Sequence, residues 1–62
     1  MNEQIKSLNE LAVGDVIDGS YEVISITPTS AYRGTLKVRN ISTGKIIVLR
    51  SVPIDTPYRV TK

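Results

Sequence analysis

The sequence predicts a small all-β protein, a five-stranded barrel with a short helical turn near its N-terminus. Three observations lead there. The chain has 62 residues, a length that suits one small domain over residues 1–62. Val, Ile and Thr supply 21 of those 62 residues, and β-branched side chains favour a pleated surface. Turn formers recur at short intervals: Gly14, Asp18-Gly19, Pro28, Gly34, Gly44, Pro53 and Pro57.

The opening differs from the rest. Residues 1–4 read as a loose, flexible polar end. Ser7-Leu8-Asn9-Glu10 has capping-box spacing, and Ile5, Leu8 and Leu11 recur every three residues, which predicts one helical or 3₁₀ turn. Val13-Gly14-Asp15 ends it. Val16-Ile17 is then a first short strand, closed by Asp18-Gly19, a dipeptide suited to a tight turn with positive φ. Both carboxylates are read as turn chemistry: Asp18 favours the Asp-Gly turn, and Asp15 accepts local backbone hydrogen bonds. The second strand runs from Tyr21 to Thr27, with Tyr21, Val23 and Ser25 on one face and Glu22, Ile24 and Ile26 on the other. Pro28 ends it, because proline has no N–H for the ladder.

Gly34 precedes a third strand, Thr35–Asn40, with Leu36 and Val38 inward and Thr35, Lys37 and Arg39 outward. A four-residue loop, Ile41–Gly44, with Gly44 left-handed, joins Asn40 to Lys45. That register sets Val38 opposite Ile47 and Leu36 opposite Leu49; a one-residue slip would move every apolar side chain to the wrong face. Lys45–Ser51 is the fourth strand. Pro53 and Pro57 bracket a connector with room for a single 3₁₀ turn, and Tyr58–Thr61 is the fifth strand.

The entry Leu11-Ala12-Val13-Gly14-Asp15-Val16-Ile17, followed by short strands and tight turns, resembles the opening of SH3-like barrels. Gly14, Gly34 and Gly44 are similar in part to the glycines of the KOW type. The resemblance covers most of the chain as strand order and implies a small barrel fold. The acidic loop and paired aromatics of proline-peptide-binding SH3 domains are missing, so that activity is not implied. An OB-like barrel is the alternative architecture.

Composition removes most chemistry. With no Cys and no His, a disulfide framework, a thiolate nucleophile and an imidazole base are missing, and a zinc knuckle has no ligands. An enzyme is not expected, and no cofactor or metal is implied. No apolar run approaches the roughly 18 residues of a membrane span. Glu3 precedes any apolar stretch, unlike a signal peptide. The expectation is a soluble, cytoplasmic binder.

The net charge of +2 is unevenly spread. Residues 1–31 carry Glu3, Glu10, Asp15, Asp18 and Glu22 against Lys6, a net of −4. Residues 32–62 carry seven basic residues against Asp55, a net of +6. This asymmetry favours an anionic partner, unless the halves interleave and neutralise across neighbouring strands.

Two binding classes follow. In the first, the module docks on a larger protein with an acidic surface, as a small regulator, adaptor or inhibitor. Ile46-Ile47-Val48-Leu49 is apolar at every position, so if Ile47 and Leu49 face inward, Ile46 and Val48 face outward beside Lys37 and Arg39. Either the N-terminal segment, with Ile5 and Leu8, covers them, or they form an interface with a host protein or a second copy. In the second class the partner is DNA or RNA. Lys37, Arg39 and Arg50, extended by Tyr32, Arg33, Tyr58 and Arg59, would engage phosphates and stack on unpaired bases. The bland counterparts are cross-strand ion pairs of Arg39 and Arg50 with Glu22 or Asp55, and half-buried roles for Tyr21 and Tyr58. Three tyrosines without Phe or Trp make a thin stacking platform, so the protein partner is preferred.

Overall fold

The computed structural model describes residues 3–61. It is all-β apart from one 3₁₀ turn. Strands β1 (Gln4–Ser7), β2 (Val16–Ile17), β3 (Tyr21–Pro28), β4 (Arg33–Asn40), β5 (Ile46–Pro53) and β6 (Pro57–Val60) form one antiparallel sheet in the order β1-β6-β2-β3-β4-β5. The sheet is not closed: β1 and β5 are its two edges. There are therefore six strands rather than five, and an open sheet where a barrel was expected. No helix among the described residues is long and apolar enough to cross a membrane.

The additional strand corrects the reading of the N-terminus. Gln4, Ile5, Lys6 and Ser7 pair with Val60, Arg59, Tyr58 and Pro57, and Glu3 forms a 2.9 Å ion pair with Arg59. Met1 and Asn2 of the expected loose end lie outside the described residues. β6 meets β2 only through Ile17 and Val60, so its other edge is available, and residues 4–7 fill it. Ser7 then opens the 3₁₀ turn Leu8–Glu10, as the spacing predicts. Its N–H donates to Glu10 Oε1 at 3.0 Å, and its hydroxyl donates to the same oxygen at 2.9 Å. These bonds to the ionised form hold the Glu10 carboxyl below its ordinary 4.5.

The turn places Leu8 on the core, which comprises Leu8, Leu11, Ile17, Val23, Leu36, Val38 and Val60. Asp18 and Gly19 both have positive φ, 52° and 69°, and the Ser20 N–H donates to the Ile17 carbonyl at 3.0 Å. This is the tight turn that Asp-Gly favours. Asp15 Oδ2 accepts the Ala12 N–H at 2.9 Å, the local role expected of it.

β3 departs from simple alternation. Val23 pairs with Val38 and Ser25 with Lys37, so Ile24 is an extra residue in a bulge. Val23 also exchanges backbone bonds with the approach to β2: its N–H donates to the Asp15 carbonyl at 2.8 Å, and its carbonyl accepts the Gly14 N–H at 3.0 Å. The bulge reverses the side-chain phase. Ile26 therefore packs against the core together with Val23, not on the opposite face with Glu22.

The β4–β5 hairpin follows the expected register, with Val38 opposite Ile47 and Leu36 opposite Leu49. The Asn40 N–H donates to the Lys45 carbonyl at 2.8 Å, and Gly44, at φ 76°, donates to the Asn40 carbonyl at 2.7 Å. Asn40 Oδ1 accepts the N–H groups of Ser42 and Thr43 at 2.9 and 3.2 Å. A second irregularity lies between the Leu36–Leu49 and Gly34–Val52 pairs, where β5 has one residue more than β4. Ser51 has φ 55° there, and Arg33 Nη1 donates to its carbonyl at 2.9 Å. Between Pro53 and Pro57 the connector is a β-turn, with the Thr56 N–H on the Pro53 carbonyl at 3.1 Å.

Candidate docking face on the edge hairpin

Strand β5 gives the surface its character. Lys37 is directly opposite Val48, and Arg39 is opposite Ile46. Directly opposed residues of an antiparallel pair share a face, and Leu36 and Val38 are buried on the other one. Lys37, Arg39, Ile46 and Val48 therefore form one outward cluster, as the sequence predicts. Ile46 is 49% exposed and Val48 42% exposed. The N-terminal segment does not cover them. Ile5 lies on β1 at the opposite edge and is 67% exposed, while Leu8 is in the core.

Three ion pairs form among the described residues: Lys6–Asp15 at 3.2 Å, Arg59–Glu3 at 2.9 Å, and Arg39–Glu22. Two of them join the acidic first half to the basic second half, so interleaving neutralises part of the asymmetry. The remainder is concentrated. From Val23 through Ile54 there is no Asp or Glu, while that stretch carries Arg33, Lys37, Arg39, Lys45 and Arg50. Glu22 reaches Arg39 across the β3–β4 ladder. Lys37, Lys45 and Arg50 have no ion pair among the described residues, and the expected alternative of Arg50 with Asp55 does not form. Arg50 lies beside the bulge at Ser51, near the end of the apolar row.

The other candidate residues fall elsewhere. Tyr32 and Arg33 stand at the start of β4 and border a recess of about 260 Å³ with Pro53, Ile54 and Asp55. Tyr32 is exposed, whereas Arg33 is tied to the Ser51 carbonyl. Tyr58 is half-buried against the core, together with Tyr21, and burial pushes its hydroxyl above the ordinary 10.0. Arg59, its neighbour on β6, pairs with Glu3 beyond β1. The nine candidates are thus divided among the outer hairpin face, the start of β4, and β6.

One feature is missing from the sequence reading. Because the sheet stays open, its concave face retains a groove of about 290 Å³ between β5 and β6, bordered by Ile17, Tyr21, Ile47, Leu49 and Tyr58. Leu49, assigned to a sealed interior, is 38% exposed there. β5 is consequently an edge strand with accessible apolar side chains on both faces, its apolar row Ile46–Leu49 bracketed by the cations Lys45 and Arg50.

No protein-family model, curated protein or solved structure matches the chain.

Proposed function

We propose that this chain is a non-enzymatic binding module of the cytoplasm that docks on a larger protein with an acidic surface, in the manner of a small regulator, adaptor or inhibitor. The observation that carries the reading is the outward row on the hairpin: Ile46 and Val48, about half exposed, set directly opposite Arg39 and Lys37. An apolar centre bordered by Lys37, Lys45 and Arg50, which have no ion pair among the described residues, suits an acidic protein surface, with burial supplying affinity and charge supplying selection. The absence of Cys and His removes the thiolate nucleophile and the imidazole general base from the chain's repertoire. For the fold type we propose an SH3-like sheet, supported by the short antiparallel strands and tight turns.

The alternative is binding to DNA or RNA. Lys37, Lys45 and Arg50 supply phosphate contacts for it, yet Tyr21 and Tyr58 pack on the concave side and leave Tyr32 as the exposed aromatic. A stacking platform needs several aromatic side chains beside the cations, and this favours the protein partner.

The test is capture of a host protein by wild-type chain, Ile46→Asp and Val48→Asp, each with and without nuclease, alongside a low-salt shift assay with single-stranded DNA and RNA. The expected result is a partner retained through nuclease treatment and lost in both variants, whose circular dichroism matches wild type. Capture unaffected by the variants refutes the docking face. Nuclease-sensitive capture with a steep salt dependence would transfer the assignment to nucleic acid. Should an Asp variant unfold, Lys37→Glu probes the same face without touching an apolar side chain.

A further inference from the structure

We infer that the free edge of β5 accepts an extended segment of the partner, alternately apolar and acidic, which joins the sheet as a further strand. This rests on the docking reading above and names the partner's chemistry.

The hydrogen-bonding phase of the hairpin shows which groups are available. Asn40 and Lys45 are directly opposed, and the Asn40 N–H donates to the Lys45 carbonyl. In an antiparallel ladder, bonded pairs alternate with non-bonded ones. Val38–Ile47 and Leu36–Leu49 are then the bonded pairs, and the N–H and carbonyl groups of Ile46 and Val48 point away from β4. β5 is the last strand of the sheet, so those groups face an empty edge. Natural edges are blunted by bulges, prolines or inward charges. Here the bulge at Ser51, fastened by Arg33, closes only the far end. Ile46 through Leu49 contain no such device.

A strand laid on this edge has its side chains sorted by period two. Residues opposite Ile47 and Leu49 stand over the concave groove, where an apolar side chain covers Leu49 and fills part of the 290 Å³. Residues opposite Ile46 and Val48 share the outer face with the cations. Carboxylates there meet Lys37 and Arg50 across the sheet, neither of which has an ion pair among the described residues.

A second copy is the poorer occupant. Pairing β5 with β5 brings two hairpins without a single Asp or Glu side by side, and like charges on adjacent strands are unfavourable. Four of the chain's six side-chain carboxylates are engaged in place: Glu3, Asp15 and Glu22 in ion pairs, and Glu10 on Ser7.

The experiment titrates isotope-labelled full-length chain with two capped six-residue peptides, one alternating Val and Glu and the other Val and Lys. Amide shifts and amide exchange are followed residue by residue. The Val/Glu peptide is expected to shift Ile46–Arg50 and, near saturation, to slow exchange at Ile46 and Val48 about tenfold. Its affinity falls as salt rises, and it weakens in Lys37→Glu and Arg50→Glu, which leave the backbone intact. The Val/Lys peptide is expected not to bind. Equal binding of the two peptides, no binding of either, or shifts confined to another face overturns the inference. So does protection of Ile46 and Val48 without peptide at a dimer's mass. If the peptides fail while Val48→Asp still abolishes partner capture, edge pairing is wrong and the docking reading stands. Partner capture unchanged by Val48→Asp overturns both.

Discussion

A Cβ placed on Gly34 would lie 3.2 Å from Leu8 Cδ2, so the 3₁₀ turn is seated directly on the backbone of β4. The same Cβ would lie 3.2 Å from the Thr27 carbonyl oxygen on the neighbouring strand. Space is what the glycine provides here: Gly34 has no positive φ, so a side chain is opposed by contact and not by backbone conformation. Gly34→Ala is expected to destabilise the chain by about 1–3 kcal/mol, the range for overpacking a closed contact. Domains of this size have only about 3–5 kcal/mol in reserve, so the loss is visible as a lower urea midpoint. Adding Leu8→Ala to it gives a combined loss smaller than the sum of the two single losses, because Leu8→Ala removes the clashing methyl.

What the sequence disclosed, and what it withheld, follows from the range of each interaction. The Asp18-Gly19 turn and the Asn40–Lys45 hairpin were legible because neighbours only a few residues apart determine them. The placement of Lys37, Arg39, Ile46 and Val48 on one face follows from that hairpin register. β1 was not legible. Gln4–Ser7 contains a single β-branched residue, and its strand conformation comes from β6, fifty or more residues away in the chain. The bulge at Ile24 was hidden for a similar reason, since the bonds that Val23 makes to Gly14 and Asp15 lie outside any local alternation. Openness of the sheet is the longest-range property, and the exposure of Leu49 depends on it. Tyr58 and Arg59 lie apart from the hairpin cations because β6 sits between β1 and β2, a placement no local pattern encodes.

The hairpin loop should behave as a local unit. Gly44 has φ 76° with nothing near its missing Cβ, so Gly44→Ala isolates the cost of a left-handed backbone, about 1–2 kcal/mol. Asn40→Ala removes the acceptor of two loop N–H groups and costs about 1 kcal/mol. Both lower the thermal midpoint while leaving the amide shifts of β1 and β6 at their wild-type positions.

The two faces of the hairpin are expected to respond oppositely to substitution. Leu36 is fully buried, and Leu36→Ala costs about 2–5 kcal/mol, a loss comparable with the whole reserve of a domain of this size. Val48, one strand across and on the other face, is expected to tolerate Asp with a loss of about 1 kcal/mol or less, the span of strand propensities. The Glu22–Arg39 pair on that outer face is half-exposed. A double-mutant cycle with Glu22→Gln and Arg39→Gln is expected to give about 1 kcal/mol or less, declining with salt. A coupling well above that would show that this face is drier than its exposure indicates.

Acid should weaken the N-terminal turn. The Ser7 N–H and hydroxyl both donate to the Glu10 carboxylate, and these bonds hold its pKa below the ordinary 4.5. A carboxyl with a lower pKa in the folded state binds fewer protons there than in the unfolded chain. Its contribution to stability is therefore complete above the unfolded value and is lost as pH falls through the lowered folded value. Glu10→Gln removes that dependence. The variant is expected to melt below wild type at neutral pH, with the gap narrowing through the mild acid range and closing once Glu10 is protonated in both states. Thermal melts of the two chains across that range provide the check. A gap that persists at low pH would assign the effect of Gln to lost packing around the turn instead of lost charge.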